Sequence, residues 1–134
     1  MSEHLISLEI VTPQRIVFSD EVKSFTAPGA EGVFQILQKH APITSTLLPG
    51  TVKFVTKDNE TKHFATSGGT VEVHANKITM LAETIEAKDD IDVQRAEDAK
   101  QRAMKRLETK EGIDFERARF ALKRAVSRIN VSKK

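Results

Sequence analysis

Met80-Leu81-Ala82-Glu83-Thr84-Ile85-Glu86-Ala87-Lys88-Asp89-Asp90-Ile91-Asp92-Val93-Gln94-Arg95-Ala96 is the stretch where this chain changes its grammar, and the change falls near Lys88. Upstream, short apolar–polar alternations are separated by Gly, Pro and Asn turns. Downstream, 47 residues contain no proline and a single glycine, Gly112, and apolar residues recur every three or four positions. Charge changes at the same place. Residues 1–87 carry 7 Lys+Arg against 10 Asp+Glu, a net of −3, and residues 88–134 carry 14 against 9, a net of +5. Two modules, 1–87 and 88–134, are therefore expected. Their different surfaces point to an adaptor or regulator more than to a one-pocket enzyme.

At 134 residues the chain has room for one ordinary domain or two small ones. A hydrophobic share of 39% with 30% charged residues fits a soluble globular protein. No apolar run approaches the roughly 18–20 residues of a membrane span, and Met1-Ser2-Glu3-His4 lacks a signal-peptide layout, so no lipid insertion is expected. Without cysteine there is no disulfide framework and no thiolate chemistry, which is compatible with the cytosol. Trp and Tyr are absent and seven Phe supply all the aromatic character, which weighs against a base-stacking platform for nucleic acid.

The upstream half reads as antiparallel β. Leu5-Ile6-Ser7-Leu8-Glu9-Ile10-Val11 alternates as a strand with one buried face does. Val52-Lys53-Phe54-Val55 and Lys62-His63-Phe64-Ala65 flank the polar turn Lys57-Asp58-Asn59-Glu60, a hairpin. Thr70-Val71-Glu72-Val73-His74 and Lys77-Ile78-Thr79-Met80-Leu81 flank Ala75-Asn76, a second hairpin, after a joint at Gly68-Gly69. Short strands at this spacing predict a sandwich or flattened barrel.

The downstream half reads as a helical hairpin, which makes the whole chain α+β. Ala96, Ala99, Ala103 and Leu107 form one helical stripe, and Ala118, Leu122, Ala125 and Ile129 form another. Thr109-Lys110-Glu111-Gly112 supplies a stop, with Gly112 suited to a left-handed cap. Asp90 or Asp92 can cap the first helix and Asp114 the second. An alanine seam buries little apolar area. At about 25 cal/mol per Å2 it leaves such a hairpin marginal by itself, so it should dock on the β module or detach from it.

Enzymatic constellations are missing. Glu83 and Glu86 are close in sequence but read as solvated carboxylates at a strand end. His4, His40, His63 and His74 have no metal-ligand spacing, so no metal site is expected. Ser67-Gly68-Gly69-Thr70 lacks the lysine and the length of a phosphate-binding loop and reads as a tight turn. The arginines carry more information. Arg95 and Arg102 are seven apart, as are Arg117 and Arg124, and Arg128 follows Arg124 by four. They read either as a solvated face with acidic partners or as guanidinium forks gathered by the hairpin for phosphate or an acidic protein surface. A net of +5 with interleaved acids is modest for a duplex binder.

Four stretches carry a resemblance. They are Val11-Thr12-Pro13; Gly32-Val33-Phe34-Gln35-Ile36-Leu37 with His40-Ala41-Pro42; Ser67-Gly68-Gly69-Thr70-Val71-Glu72-Val73; and Asp90-Ile91-Asp92-Val93-Gln94-Arg95-Ala96. Their order and spacing resemble the epsilon subunit family of bacterial F-type ATP synthases, called delta in mitochondria, over essentially the full length. The family's usual Gly-Ile-Leu-Pro-Asn/Gly-His reads Gln35-Ile36-Leu37-Gln38-Lys39-His40 here, without that glycine and proline.

The resemblance implies an N-terminal β-sandwich joining the gamma subunit to the c-ring of a proton-driven rotor, peripheral on the cytoplasmic face of the bacterial inner membrane. It implies a two-helix C-terminal hairpin that either folds on the sandwich or extends toward the alpha and beta subunits and inhibits ATP hydrolysis. Contact with gamma and the c-ring would involve Glu31, Gly32, His40 and Pro42. ATP, with or without Mg2+, would be a regulatory ligand of the folded form, with no catalytic cofactor. Its site would comprise Glu86, Ile91, Asp92, Arg95 and Arg102, with Arg124 and Arg128 from the second helix. In that reading Asp92 accepts from the adenine amino group, Ile91 touches the base and the arginines meet phosphate. No residue is placed to activate water, so the chain would be a non-catalytic subunit. The alternative is a free-standing ATP-binding sensor that uses the same hairpin as a switch.

Overall fold

Ile6, Leu8 and Ile10 turn inward while Ser7, Glu9 and Val11 stay partly exposed, so the alternation of the first strand becomes one wall of the core. The computed structural model describes residues 4–109 and 114–134. Among the described residues nine strands precede two helices: β1 (Ile6–Val11), β2 (Ile16–Gly29), β3 (Gly32–Ile36), β4 (Ile43–Leu47), β5 (Gly50–Thr56), β6 (Thr61–Thr66), β7 (Gly69–His74), β8 (Lys77–Ala82), β9 (Ile85–Ala87), a 3-10 turn Lys88–Asp90, α1 (Val93–Thr109) and α2 (Phe115–Ser132). The strands form a β-sandwich, followed by the two-helix hairpin expected of an α+β chain.

Both hairpins read from the sequence are present. β5 pairs β6 from Gly50↔Thr66 to Val55↔Thr61, and β7 pairs β8 from Gly69↔Ala82 to His74↔Lys77. Ala75 and Asn76 both take positive φ, 51° and 60°, as a two-residue turn matching strand twist requires. Asn76 also ties the turn to its surroundings: its amide donates to the Leu5 carbonyl and its side-chain oxygen accepts the Lys39 N–H, each at 3.0 Å.

One pairing departs from a purely antiparallel expectation. β1 and β8 run parallel, Ser7↔Lys77 to Val11↔Leu81. The connection between them spans β2 to β7, so no short turn announces the pairing. β2 is 14 residues long and belongs to two layers. Its first half pairs β1 up to Val22↔Ile6, the register slips between Val22 and Ser24, and its second half pairs β5 and β3. Such an irregularity lets one strand bend from sheet to sheet. Phe25, Phe54, Ile36, Ile78 and Met80, all 0% exposed, fill the space between.

Lys39 sits in the segment that lacks the family's usual Asn or Gly, and its φ is 61°. A side chain in that region costs about 1–2 kcal/mol. Lys39→Gly should therefore stabilise the domain by about 1 kcal/mol in urea unfolding, after allowance for glycine's freer unfolded chain.

In the hairpin the alanine seam is the packed face. Ala96 and Ala103 of α1 and Ala118, Ala125 and Ile129 of α2 are buried, while Ala99, Leu107 and Leu122 are half-buried. Asp92 caps α1, its Oδ1 accepting the Arg95 N–H at 3.0 Å, and Asp114 caps α2 through the Arg117 N–H at 3.1 Å. Of the stop at Thr109-Lys110-Glu111-Gly112, Thr109 ends α1, and the Gly112 cap lies outside the described residues.

α2 lies against β5 and β6. The apolar contact there is small: Ala65, Ile91 and Val131 form a cluster separate from the main core. One turn before Val131, Ser127 is buried, and its hydroxyl finds no partner among the described residues. Ser127→Ala should stabilise the docked hairpin by about 1 kcal/mol, since it removes a buried polar group and improves helix propensity. Hydrogen-exchange protection of α2 should rise accordingly; unchanged protection would show that the hydroxyl is satisfied.

Candidate functional site

Three elements meet where β9 hands the chain to the helices. Glu86 comes from β9, Asp92 from the cap of α1, Arg95 and Arg102 from positions two turns apart on α1, and Arg128 from α2. They line one cleft of about 460 Å3, together with Thr84, Asp90, Ala96 and Ala99. The helix period explains the geometry: seven residues are nearly two turns, so Arg95 and Arg102 share a face. Ala96 and Ala99 add no bulk, which keeps the cleft open between the two arginine tiers.

The charges in the cleft are unequally engaged. Arg128 Nε donates to Glu86 Oε1 at 2.5 Å, with both side chains about one-third exposed, 31% and 32%. That bond ties α2 to β9, and it uses Nε, leaving the terminal guanidinium nitrogens for another acceptor. Asp92 spends Oδ1 on its helix cap, so its second oxygen is the one available to a ligand. Arg95 and Arg102 are exposed and form no ion pair among the described residues. Two unpaired guanidinium groups beside a third make an anion-accepting surface.

Two residues expected at this site lie elsewhere. Ile91 does not line the cleft; it is 9% exposed and packs with Ala65 and Val131 beneath α2, because an isoleucine before the cap gains more from that cluster than from water. Arg124 is half-buried and lies with Arg128 over Ala65, Thr66, Ser67 and Thr84, in a crevice too tight to hold a ligand. Conversely, Thr84 and Asp90 join the cleft wall without a spacing that marks them, since Thr84 precedes β9 and Asp90 ends the 3-10 turn.

The second group of expected residues splits. Glu31, in the β2–β3 turn, and Gly32, the first residue of β3, line a surface depression of about 470 Å3 with Val33 and Phe34. His40 and Pro42 lie in the connection after β3, where His40 Nδ1 is 2.8 Å from the Ala41 carbonyl oxygen. The two pairs are separated by the length of β3, five residues at about 3.3 Å each. Apolar side chains go with both ends: Val33 is 76% exposed and Leu37 50%. A further exposed rung, not evident in the sequence, joins Ile16, Val11 and Leu81 across β2, β1 and β8. No described helix is long and apolar enough to cross a membrane.

A sandwich carrying a docked helical hairpin with an arginine-bearing cleft is a two-module architecture, and comparison with known proteins narrows it. The family model for the ATP synthase delta/epsilon chain β-sandwich domain matches residues 5–88, and the model for the long α-helix domain of the same chains matches residues 89–133. The chain is 45% identical over 107 residues to the ATP synthase epsilon chain of Syntrophomonas wolfei, covering 80% of this chain and 78% of that one. It is 47% identical over 100 residues to the epsilon chain of Desulforamulus reducens, covering 75% of each. Among solved structures, a chain of the Euglena gracilis mitochondrial ATP synthase OSCP/F1/c-ring assembly superposes with TM-score 0.86 at 16% identity, over 98% of this chain and 83% of that chain. A chain of the Tetrahymena thermophila mitochondrial ATP synthase central stalk/c-ring gives 0.62 at 17% identity, over 99% and 97%. At that identity the two structures speak for the fold. The chain belongs to the ATP synthase delta/epsilon chain family, on the side of the epsilon chains.

Proposed function

We propose that this chain is a non-catalytic central-stalk subunit of a proton-translocating F-type ATP synthase, peripheral on the cytoplasmic face of the bacterial membrane. Its sandwich joins gamma to the c-ring, and its hairpin is a reversible brake on ATP hydrolysis that ATP holds in the docked state. The observation that carries the reading is how little fastens the hairpin. A cluster of Ala65, Ile91 and Val131 and the Glu86–Arg128 pair link it to the strands, while the sandwich keeps its own core of sixteen buried residues. Detachment therefore exposes little apolar surface. It also disperses the arginines of the cleft and frees them for an acidic surface on the alpha/beta ring.

The separation of Glu31 and Gly32 from His40 and Pro42 fits two partners, or one extended partner, better than a single small contact. ATP is the ligand that suits the cleft: a triphosphate meets Arg95, Arg102 and the free end of Arg128, and Asp92 keeps one oxygen for a base amino group.

Deletion of residues 88–134 tests the brake. The truncated chain should still assemble with gamma and the c-ring, and ATP hydrolysis by the assembled complex should rise several-fold. Equal hydrolysis rates with and without the hairpin, measured across a range of ATP and ADP concentrations, would remove the inhibitory role. Failure of the full chain to co-purify with gamma would instead favour a free-standing sensor.

A further inference from the structure

A second cleft, sharing no residue with the arginine-lined one, opens beside β6 where the helical module begins and ends. It encloses about 600 Å3, within the usual range of about 300–1,000 Å3 for small-molecule sites. Phe18 and Phe64 are half-buried in its wall and Phe54 lies fully buried beneath them. The three rings form a row, with centroids 4.5 Å apart for Phe18–Phe54 and 5.6 Å for the stacked pair Phe54–Phe64. Half-exposed rings backed by a third leave an apolar wall that water covers at a cost.

The mouth has the opposite character. Lys62, Lys88 and Lys134 line it, with Asp89 the one lining carboxylate among the described residues. Lys62 pairs with Glu60 at 3.2 Å, but both side chains are about half exposed or more, so the pair is weak and exchangeable. The Lys88 ammonium donates to a main-chain oxygen of Lys134, which draws the two chain segments together at the mouth. His63, in the same wall, is held below its ordinary pKa first by burial and then by the charges of Lys134, Lys53 and Lys88. Several ammonium groups thus act on one spot beside an apolar wall.

We propose that this cleft binds a free amphipathic anion, an apolar acyl or aromatic body carrying one carboxylate or similar head group. A neutral apolar molecule satisfies the phenylalanines and leaves the lysines unused. A compact polyanion does the reverse and meets Asp89. One charged head on an apolar body matches both walls, with the body along Phe18 and Phe64 and the head toward Lys62 and Lys88.

Monomeric decanoate, below its micellar concentration, is the probe, titrated into the full chain by calorimetry and by amide chemical-shift changes. The expected result is saturable one-to-one binding, with shifts centred on β6 and the 3-10 turn. Decanol should bind at least tenfold more weakly. The double variant Lys62→Glu/Lys88→Glu should weaken decanoate at least tenfold and leave decanol unchanged. Phe64→Ser should weaken both amphiphiles. Thr61→Trp covers the wall from an exposed strand position, leaves the core intact, and should abolish binding if Phe64→Ser fails to fold. Non-saturable binding, equal affinity for decanol, or wild-type affinity in Thr61→Trp overturns the proposal. So does binding to phosphatidylglycerol vesicles with none to monomeric decanoate.

Discussion

Arg95→Ala and Arg102→Ala should each weaken ATP binding to the isolated chain by roughly ten- to a hundredfold, because a lost charge-assisted contact costs about 1.5–3 kcal/mol. Both side chains are exposed, line the same cleft and have no ion-pair partner among the described residues, so truncation leaves no buried charge behind and folding stability should hold. Arg128→Ala is a different experiment. It also strips Glu86 of its partner and should loosen α2 from β9, lowering affinity and hairpin protection together. Asp92 needs a conservative variant because its Oδ1 caps α1. Asp92→Ser keeps a capping oxygen and removes the carboxylate, so a reduced preference for ATP over GTP with helix content intact would assign that carboxylate to the base. Wild-type affinity in both Arg95→Ala and Arg102→Ala by calorimetric titration would place the nucleotide elsewhere. By linkage, saturating ATP should also raise exchange protection of α2, since only the docked hairpin assembles the cleft.

Gly69→Ala should destabilise the sandwich by several kcal/mol, on the order of the largest single-residue effects. A Cβ at Gly69 would lie 2.0 Å from the Leu81 carbonyl oxygen and 3.0 Å from Ala82 Cα, and the Gly69 φ of 151° disfavours a side chain as well. Both neighbours are backbone of β8, paired to β7 and β1, so relief requires breaking register on both sides. Urea unfolding followed by circular dichroism should show the loss. A shift of less than about 1 kcal/mol would mean that the β7–β8 joint relaxes freely.

The strands and caps that could be read directly depend on residues within a few positions of one another. Alternation in Ile6–Val11, the turn at Ala75-Asn76 and the caps at Asp92 and Asp114 all follow from side-chain period and local hydrogen bonding. The alanine stripes likewise determined which faces of α1 and α2 pack. Arg95 and Arg102 reach one cleft for the same reason, their spacing on a helix.

Long-range pairing decided the rest. β2 has no clean alternation because its two halves bury opposite obligations in two layers, and the parallel β1–β8 pair joins segments some seventy residues apart. Ile91 was drawn out of the cleft by Ala65 and Val131, which reach it only when α2 docks. The Glu86–Arg128 pair links residues 42 apart. Glu31 and Gly32 part from His40 and Pro42 because β3 lies extended between them. The sequence by itself determined the two modules, their local elements and the arginine face. The tertiary structure decided which of those arginines share a cleft, and which apolar residues are spent holding the modules together, because burial and charge pairing are settled by whatever the folded chain brings into contact.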